Sequence, residues 1–193
     1  MPGKSRTVSD TSTMPEPYRG HWEQVGRLIA ERIAEFGAVE PHEYHYEMLY
    51  CLLTPQSRAL HAGIVVDKLR AAGWPERSID PVPILRDPAH YIRFHNVKGA
   101  RLLRLRAMRN EVQELLQSPL DSQALRDALV AKIDGFGMKE ASHFLRNIGR
   151  LDLAIIDRHI LKHLFAAGAI DTIPKSMTPK RYRTVEAVFD EFV

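Results

Sequence analysis

The chain has 193 residues, which is enough for one domain of ordinary size. Apolar residues make up 45% of it and charged residues 26%, which is typical of globular proteins and excludes a fibrous chain. Its net charge of +3 is too small to indicate a nucleic-acid partner by itself. The single cysteine, Cys51, excludes an internal disulfide and any four-cysteine metal site. No apolar run approaches the roughly 18 residues of a membrane span, so we expect a cytoplasmic protein with no membrane partner.

Residues 1–18 are polar and rich in serine, threonine and proline, so they predict a flexible N-terminal tail. Residues 19–193 carry apolar side chains at steps of three and four residues, the spacing of amphipathic helices. In chain order, the helical patterns begin near Trp22, Tyr44, Ala62, Leu102, Leu125, Ala141, Ile160 and Tyr182. No segment alternates apolar and polar residues as a half-buried strand does. We therefore predict a single all-α domain over residues 19–193.

A proline-containing turn follows the second helical pattern. Thr54 has the position and the side chain of a helix N-cap, and Pro55 suits the first position of the next helix. This interpretation makes Gln56 an exposed residue at the start of a capped helix, followed closely by Arg58.

Positive charge is concentrated between residues 93 and 110, where six lysines and arginines occur without an acidic residue. Lys98, Arg101 and Arg104 follow one another at three-residue steps on one predicted helix. Such a row of cations is the electrostatic pattern that binds a phosphate backbone. The alternative is a solvated helix face without a ligand.

The sequence LVAKIDGFGMKEASHFLRNIG over residues 129–149 predicts two helices joined by a tight turn. Gly135 and Gly137 flank Phe136 in that turn, and each glycine can adopt backbone angles that side chains disfavour. The amides of the turn and the free N–H groups of the second helix would form a small site for a backbone phosphate. This pattern is typical of a helix–hairpin–helix DNA-binding element. The alternative is an ordinary helix–helix turn with Lys139 as a solvated charge.

Four separated segments resemble the helix–hairpin–helix superfamily of DNA glycosylases and, within it, the Ogg2 branch of the 8-oxoguanine DNA glycosylase/AP lyases. The segments are YCLLTPQSRA (50–59), IRFHNVKGARLL (92–103), GFGMKEASHFLRNIG (135–149) and DLAIIDRHIL (152–161). The resemblance implies a two-lobed all-α fold with the active site in the cleft between the lobes. Residues 56–150 would form one lobe with the hairpin, and residues 19–55 and 151–193 would form the other.

The resemblance also implies roles for individual residues. It makes Lys139 and Asp157 catalytic, and it makes Gln56 a wedge that fills the gap left by a flipped-out base. The remaining DNA-binding residues that we predict are Gly135, Gly137, Arg58, Lys98 and Arg101. The expected partner is double-stranded DNA with oxidised or abasic sites. We expect a monomer at the nucleoid that needs no cofactor and binds no metal through its side chains, with the hairpin carbonyls as a candidate site for a monovalent cation.

Lysine and aspartate suit the chemistry of such an enzyme. A neutral lysine amine can displace the base from the sugar, form a Schiff base and so permit β-elimination of the 3′ phosphate. An aspartate can stabilise the positive charge that grows on the sugar. The alternative for Asp157 is the N-cap of the helix RHILKHLF, a role that is compatible with catalysis.

The C-terminal segment is where the sequence departs from the family that it resembles. Members of the family continue beyond the last helix with a segment that helps to form the base pocket, whereas the last helical pattern here runs to Val193. The main hypothesis is a bifunctional enzyme that excises 8-oxoguanine. The alternative is a non-enzymatic or lyase-only DNA-binding relative with a shortened base pocket.

Overall fold

The computed structural model describes residues 16–192, which contain ten α-helices and no strand. The helices are α1 (Glu16–Gly37), α2 (Tyr44–Leu53), α3 (Ala59–Ala71), α4 (Val82–Leu85), α5 (His95–Ala107), α6 (Arg109–Leu116), α7 (Ser122–Lys132), α8 (Met138–Asn147), α9 (Arg158–Ala166) and α10 (Pro179–Phe192). The predicted all-α class is therefore confirmed. Within the same residues, no helix combines the length and apolar character needed to cross a membrane.

The N-terminal helix begins inside the segment predicted to be a tail. Residues 1–15 of that segment lie outside the described residues, whereas α1 starts at Glu16. At the other end of α1, the ring of Phe36 is 7% exposed and lies between the guanidinium groups of Arg32 and Arg146. These contacts join the end of α1 to α8.

The larger of two hydrophobic cores is built mainly by α2, α3, α5, α7 and α8. Helix α2 lies at its centre and packs against α3, α5 and α8. Five of its ten residues are buried, which a helix achieves only when neighbours cover more than one of its faces. Helix α2 therefore belongs to the larger core.

The smaller core joins α9 and α10 to the segment that precedes α9. Its buried members include Ala154, Ile156, Leu161 and Val185. Met138, the first residue of α8, also belongs to it, so the smaller core meets the larger one at the start of that helix. This junction is where the predicted catalytic residues lie.

Candidate active site

The start of α8, the start of α9 and the turn between α2 and α3 surround a cleft of about 790 Å³. Lys139 and Asp157 both line this cleft, together with Gln56 and Gly137. Four of the predicted site residues are therefore brought together, although more than 100 positions separate the first from the last. Ser57, Met177 and Tyr182 also line the cleft, so α10 contributes to it as well.

The hairpin before α8 places Lys139 at the cleft. Gly135 has a left-handed φ of +97°, a conformation that side chains disfavour, so the backbone at this position favours glycine. Gly137 differs, because its φ of −98° and ψ of −178° are extended angles that any residue adopts. The prediction that both glycines use special backbone angles is thus right for Gly135 and wrong for Gly137. The Gly137 N–H instead donates to Glu140 Oε2 at 3.2 Å, which fixes the start of α8.

Apolar packing holds this hairpin against the larger core. Phe136 is 6% exposed, and its ring centroid lies 6.1 Å from that of Phe144. Lys139 follows in the first turn of α8, near the positive end of the helix dipole. Its side chain is 33% exposed, and Nζ lies 3.8 Å from Glu140 Oε1. The amine is therefore accessible from the cleft while its backbone is fixed.

A histidine one turn after Lys139 packs beneath it. His143 is largely buried and meets Tyr50 edge-to-face, with ring centroids 5.9 Å apart. Burial and, to a smaller extent, the nearby cations Arg146 and Lys139 lower the pKa of His143 to about 4. His143 is therefore neutral at neutral pH and adds no positive charge beside Lys139.

Asp157 is the N-cap of α9, as the alternative interpretation of the sequence has it. Its Oδ1 accepts hydrogen bonds from the N–H groups of His159 at 2.8 Å and Ile160 at 2.9 Å. Asp157 lines the cleft while it caps the helix, so the two roles are compatible in this structure.

A buried polar network holds the segment that leads to Asp157. The Tyr182 hydroxyl donates to Ala154 O at 2.8 Å and accepts from the Ile156 N–H at 2.9 Å. Glu186 accepts from the Ala154 N–H at 3.1 Å and forms a two-pronged ion pair with Arg126, at 2.5 and 2.7 Å. Burial raises the pKa of the Tyr182 phenol. The network thus connects α7 and α10 to the backbone just before Asp157.

The sequence analysis missed this network. Tyr182 resembles an ordinary core residue of α10, since it begins the apolar stripe of that helix. Glu186 falls four residues later on the same stripe, and a carboxylate at a core position indicates a buried partner. That spacing was the available clue, but it does not identify Arg126.

The turn over residues 54–58, here called the Gln56 turn, differs from the prediction. Thr54 ends α2 instead of capping α3: its N–H donates to Tyr50 O, and its hydroxyl donates to Cys51 O at 3.4 Å. Helix α3 begins only at Ala59, because Gln56 has a left-handed φ of +56° that interrupts the helical path. The Gln56 side chain is exposed at the cleft, and Arg58 is exposed just before α3.

The prediction that Lys98 lies on an exposed row of cations is wrong. Lys98 is 3% exposed and shares the buried face of α5 with Leu102 and Leu105, four and seven residues later. Its Nζ donates to Leu53 O and Pro55 O, both at 2.7 Å. Three-residue steps drift around a helix of 3.6 residues per turn, so Lys98 does not lie on the same face as the other two cations.

Those two cations pair with the hairpin. Arg101 Nε lies 3.4 Å from Asp134 Oδ1, and Arg104 Nη2 lies 2.9 Å from Asp134 Oδ2. Their positive charge is thus partly neutralised by a carboxylate within the hairpin turn. Both side chains remain at least partly exposed.

Phe94 is a further exposed aromatic residue that was not predicted from the sequence. Phe94 is 48% exposed and, like Gln56, has a left-handed backbone, with a φ of +60°. The adjacent Arg93 N–H donates to Ser57 Oγ at 3.0 Å, so Phe94 lies beside the Gln56 turn. Its position directly before a basic helix was the only clue in the sequence.

Within residues 16–192, no group of three His, Cys, Asp or Glu side chains is arranged to hold a metal ion. Burial raises the pKa of the Cys51 thiol well above its usual range, and the side chain is fully buried. Cys51 is therefore a core residue and not a nucleophile of this site.

Comparison with known proteins gives the family. Residues 29–193 match the family model described as 8-oxoguanine DNA glycosylase. The chain is 33% identical over 171 residues to the 8-oxoguanine DNA glycosylase/AP lyase of Methanocaldococcus jannaschii, an alignment that covers 86% of this chain and 80% of that protein. It is also 33% identical over 180 residues to the enzyme of that name from Fusobacterium nucleatum, with the same coverage.

Solved structures agree with this result. The crystal structure of the M. jannaschii 8-oxoguanine DNA glycosylase superposes with a TM-score of 0.79 at 26% identity, covering 96% of this chain and 87% of that one. The crystal structure of the Thermotoga maritima 8-oxoguanine DNA glycosylase superposes with a TM-score of 0.79 at 27% identity, covering 91% of this chain and 85% of that one. The M. jannaschii enzyme in complex with a 15mer DNA containing 8-oxoguanine superposes with a TM-score of 0.77 at 27% identity, covering 89% of this chain and 84% of that one. The chain therefore belongs to the 8-oxoguanine DNA glycosylase family.

Proposed function

We propose that this protein excises 8-oxoguanine from double-stranded DNA and then cleaves the strand at the abasic site. The observation that carries the proposal is that Lys139 and Asp157 line one cleft in a chain of this family. Relatives that align with 86% of the chain carry both activities in their name.

In the proposed reaction, the neutral amine of Lys139 attacks C1′ of the damaged nucleotide. The N-glycosidic bond breaks, and the base leaves with the bonding electrons. The attached nitrogen loses a proton, and its lone pair then forms the C1′=N bond of the Schiff base while the C1′–O4′ bond breaks and O4′ takes up a proton. Loss of a C2′ proton then expels the 3′ phosphate, and water later releases the sugar from Lys139. No step needs a redox cofactor.

Asp157 stabilises the positive charge that develops on the sugar as the base leaves. A carboxylate placed beforehand at that position needs no reorganisation during the reaction, which makes its electrostatic effect large. The two backbone N–H groups that bind Oδ1 keep the carboxylate in one orientation. The cap of α9 is thus part of the catalytic geometry.

The target base lies inside a duplex and must be flipped out before it reaches the cleft. Gln56 is exposed at the cleft, and Phe94 is exposed beside the Gln56 turn; we assign both side chains to the gap that the base leaves behind. The hairpin at Gly135 and Gly137 is assigned to a phosphate of the damaged strand.

Three further assignments belong to the same proposal. Arg58 and Arg101 contact phosphates, the protein acts as a monomer, and it works at the nucleoid. A monovalent cation at the hairpin would have to share the Ile133 carbonyl with the Phe136 N–H, which lies 3.0 Å from that oxygen. We therefore assign no catalytic step to such an ion.

Borohydride trapping tests the proposal. The purified protein is incubated with duplexes that contain 8-oxoguanine, an abasic site or unmodified guanine, with and without borohydride. We expect covalent adducts and cleaved strands with the first two duplexes and neither product with the third. An adduct with the abasic duplex alone would favour the lyase-only alternative, and no adduct with any duplex would favour the non-enzymatic one.

A further inference from the structure

Lys98 is buried, yet its ammonium group has three hydrogen-bond acceptors. Nζ lies 2.7 Å from both Leu53 O and Pro55 O and 3.2 Å from Ser57 Oγ. Burying a cation costs free energy unless it is well hydrogen-bonded, so this arrangement is maintained by those acceptors. Burial and, to a smaller extent, the positive charge of Arg101 lower the pKa of Lys98 to about 8.

All three acceptors lie at the end of α2 or in the Gln56 turn. Gln56 stands between Pro55 and Ser57, so Lys98 binds the residue on each side of it. The left-handed backbone conformation is unfavourable for a non-glycine residue. Such a conformation persists only where surrounding contacts enforce it, and the contacts of Lys98 do so here.

The same hydrogen bonds reach a second loop. Ser57 Oγ accepts from the Arg93 N–H at 3.0 Å as well as from Lys98. Phe94 follows Arg93 directly and is the only other non-glycine residue with positive φ in the described part of the chain. Lys98 and Ser57 thus connect both strained residues, and both residues are exposed.

We propose that Lys98 is a positioning residue for base flipping, which holds Gln56 and, through Ser57, Phe94 in the geometry that enters the duplex. This inference rests on the proposed function. Lys98 does not touch the substrate. It fixes the two residues whose side chains replace the base in the stack. Its effect is therefore on extrusion of the base and not on the chemistry at Lys139.

The test compares Lys98→Met with Arg106→Met in the full chain. Arg106 is a matched control, because it comes from the same helix and its Nε donates to a loop carbonyl, Pro75 O, at 2.6 Å. For each variant we measure single-turnover excision of 8-oxoguanine and β-elimination at a preformed abasic site. Borohydride titration normalises both rates to active enzyme, and 2-aminopurine next to the lesion reports flipping.

For Lys98→Met we expect excision and flipping to fall about tenfold or more, while cleavage of the abasic duplex falls less than about threefold, because that duplex has no base to extrude. Arg106→Met should change both rates by less than about twofold. Equal losses of both activities in Lys98→Met, or no loss of excision, would overturn the inference.

If Lys98→Met does not fold, Ser57→Ala decides. This variant removes the acceptor that Lys98 shares with Arg93 and should lower excision more than abasic cleavage. Equal effects on both rates would again overturn the inference. A wild-type chain that is inactive on both duplexes would instead contradict the proposed function.

Discussion

The two walls of the cleft are held in different ways, although each presents one reacting side chain. The Lys139 wall, residues 133–147, packs on the larger core through apolar side chains such as Phe136 and Phe144. The Asp157 wall, residues 153–160, also packs on apolar neighbours, but its backbone is bound in addition by the hydroxyl of Tyr182 and the carboxylate of Glu186.

This difference predicts how each wall responds to substitution. Apolar packing tolerates a change of shape when volume is roughly preserved. A buried polar network is less tolerant, since the loss of one group leaves another without a partner. The Asp157 wall should therefore be the more sensitive of the two, apart from the reacting side chains themselves.

The largest effect is expected from Lys139→Gln. Because the amine is the nucleophile, excision and trapping should fall by more than about 10³-fold. The side chain is partly exposed, so the unfolding free energy should change by less than about 0.5 kcal/mol. Single-turnover kinetics and chemical denaturation measure the two quantities. Trapping at the wild-type rate would show that Lys139 is not the nucleophile.

Asp157→Asn separates catalysis from helix capping. Asparagine is as good an N-cap as aspartate, so stability should change by less than about 0.5 kcal/mol. Excision should nevertheless slow by about 10²-fold or more, since the negative charge is lost. Asp157→Ala should slow excision similarly and also cost about 1 kcal/mol of stability. An unchanged excision rate in Asp157→Asn would leave this residue with the capping role alone.

Tyr182→Phe tests the network behind the Asp157 wall. Removal of the hydroxyl leaves Ala154 O and the Ile156 N–H buried without that partner, which should cost about 1–3 kcal/mol of unfolding free energy. A small displacement of Asp157 should slow excision about tenfold. Thermal unfolding and single-turnover excision measure the two effects.

Phe136→Leu is the matched change in the Lys139 wall. It preserves apolar character in the hairpin, so we expect a loss of no more than about 1.5 kcal/mol and an excision rate within about threefold of wild type. If Phe136→Leu impaired excision more than Tyr182→Phe, the comparison between the walls would be reversed.

The same contrast explains what the sequence could predict. The hairpin at Gly135 and the helix that carries Lys139 follow from apolar spacing and from glycine, which are local properties. The partners of Asp157 come from α7 and α10, and no local pattern pairs Arg126 with Glu186. The exposure of Lys98 was predicted wrongly for a related reason. In the sequence, a buried lysine that binds carbonyl oxygens has the same spacing from its neighbours as a lysine on an exposed row of cations.

The smallest effect at neutral pH is expected from His143→Leu. Because the folded pKa of His143 is about 4 and the usual value is about 6.5, its contribution to stability is complete above pH 6.5 and is lost as the pH falls towards 4. The wild type should lose at most about 1.4 kcal/mol per pH unit from this group over that window. Denaturation at several pH values should show a shallower acid slope for His143→Leu. The same slope in both proteins would contradict the assigned burial.

The central claim is that Lys139 forms the covalent bond to DNA, and its most direct test is to locate that bond. The wild-type protein is trapped by borohydride on a duplex containing 8-oxoguanine, digested, and analysed by mass spectrometry. We expect a reduced sugar adduct on the peptide that contains Lys139, at its side-chain nitrogen. An adduct on a different lysine or on the N-terminal amine would contradict it.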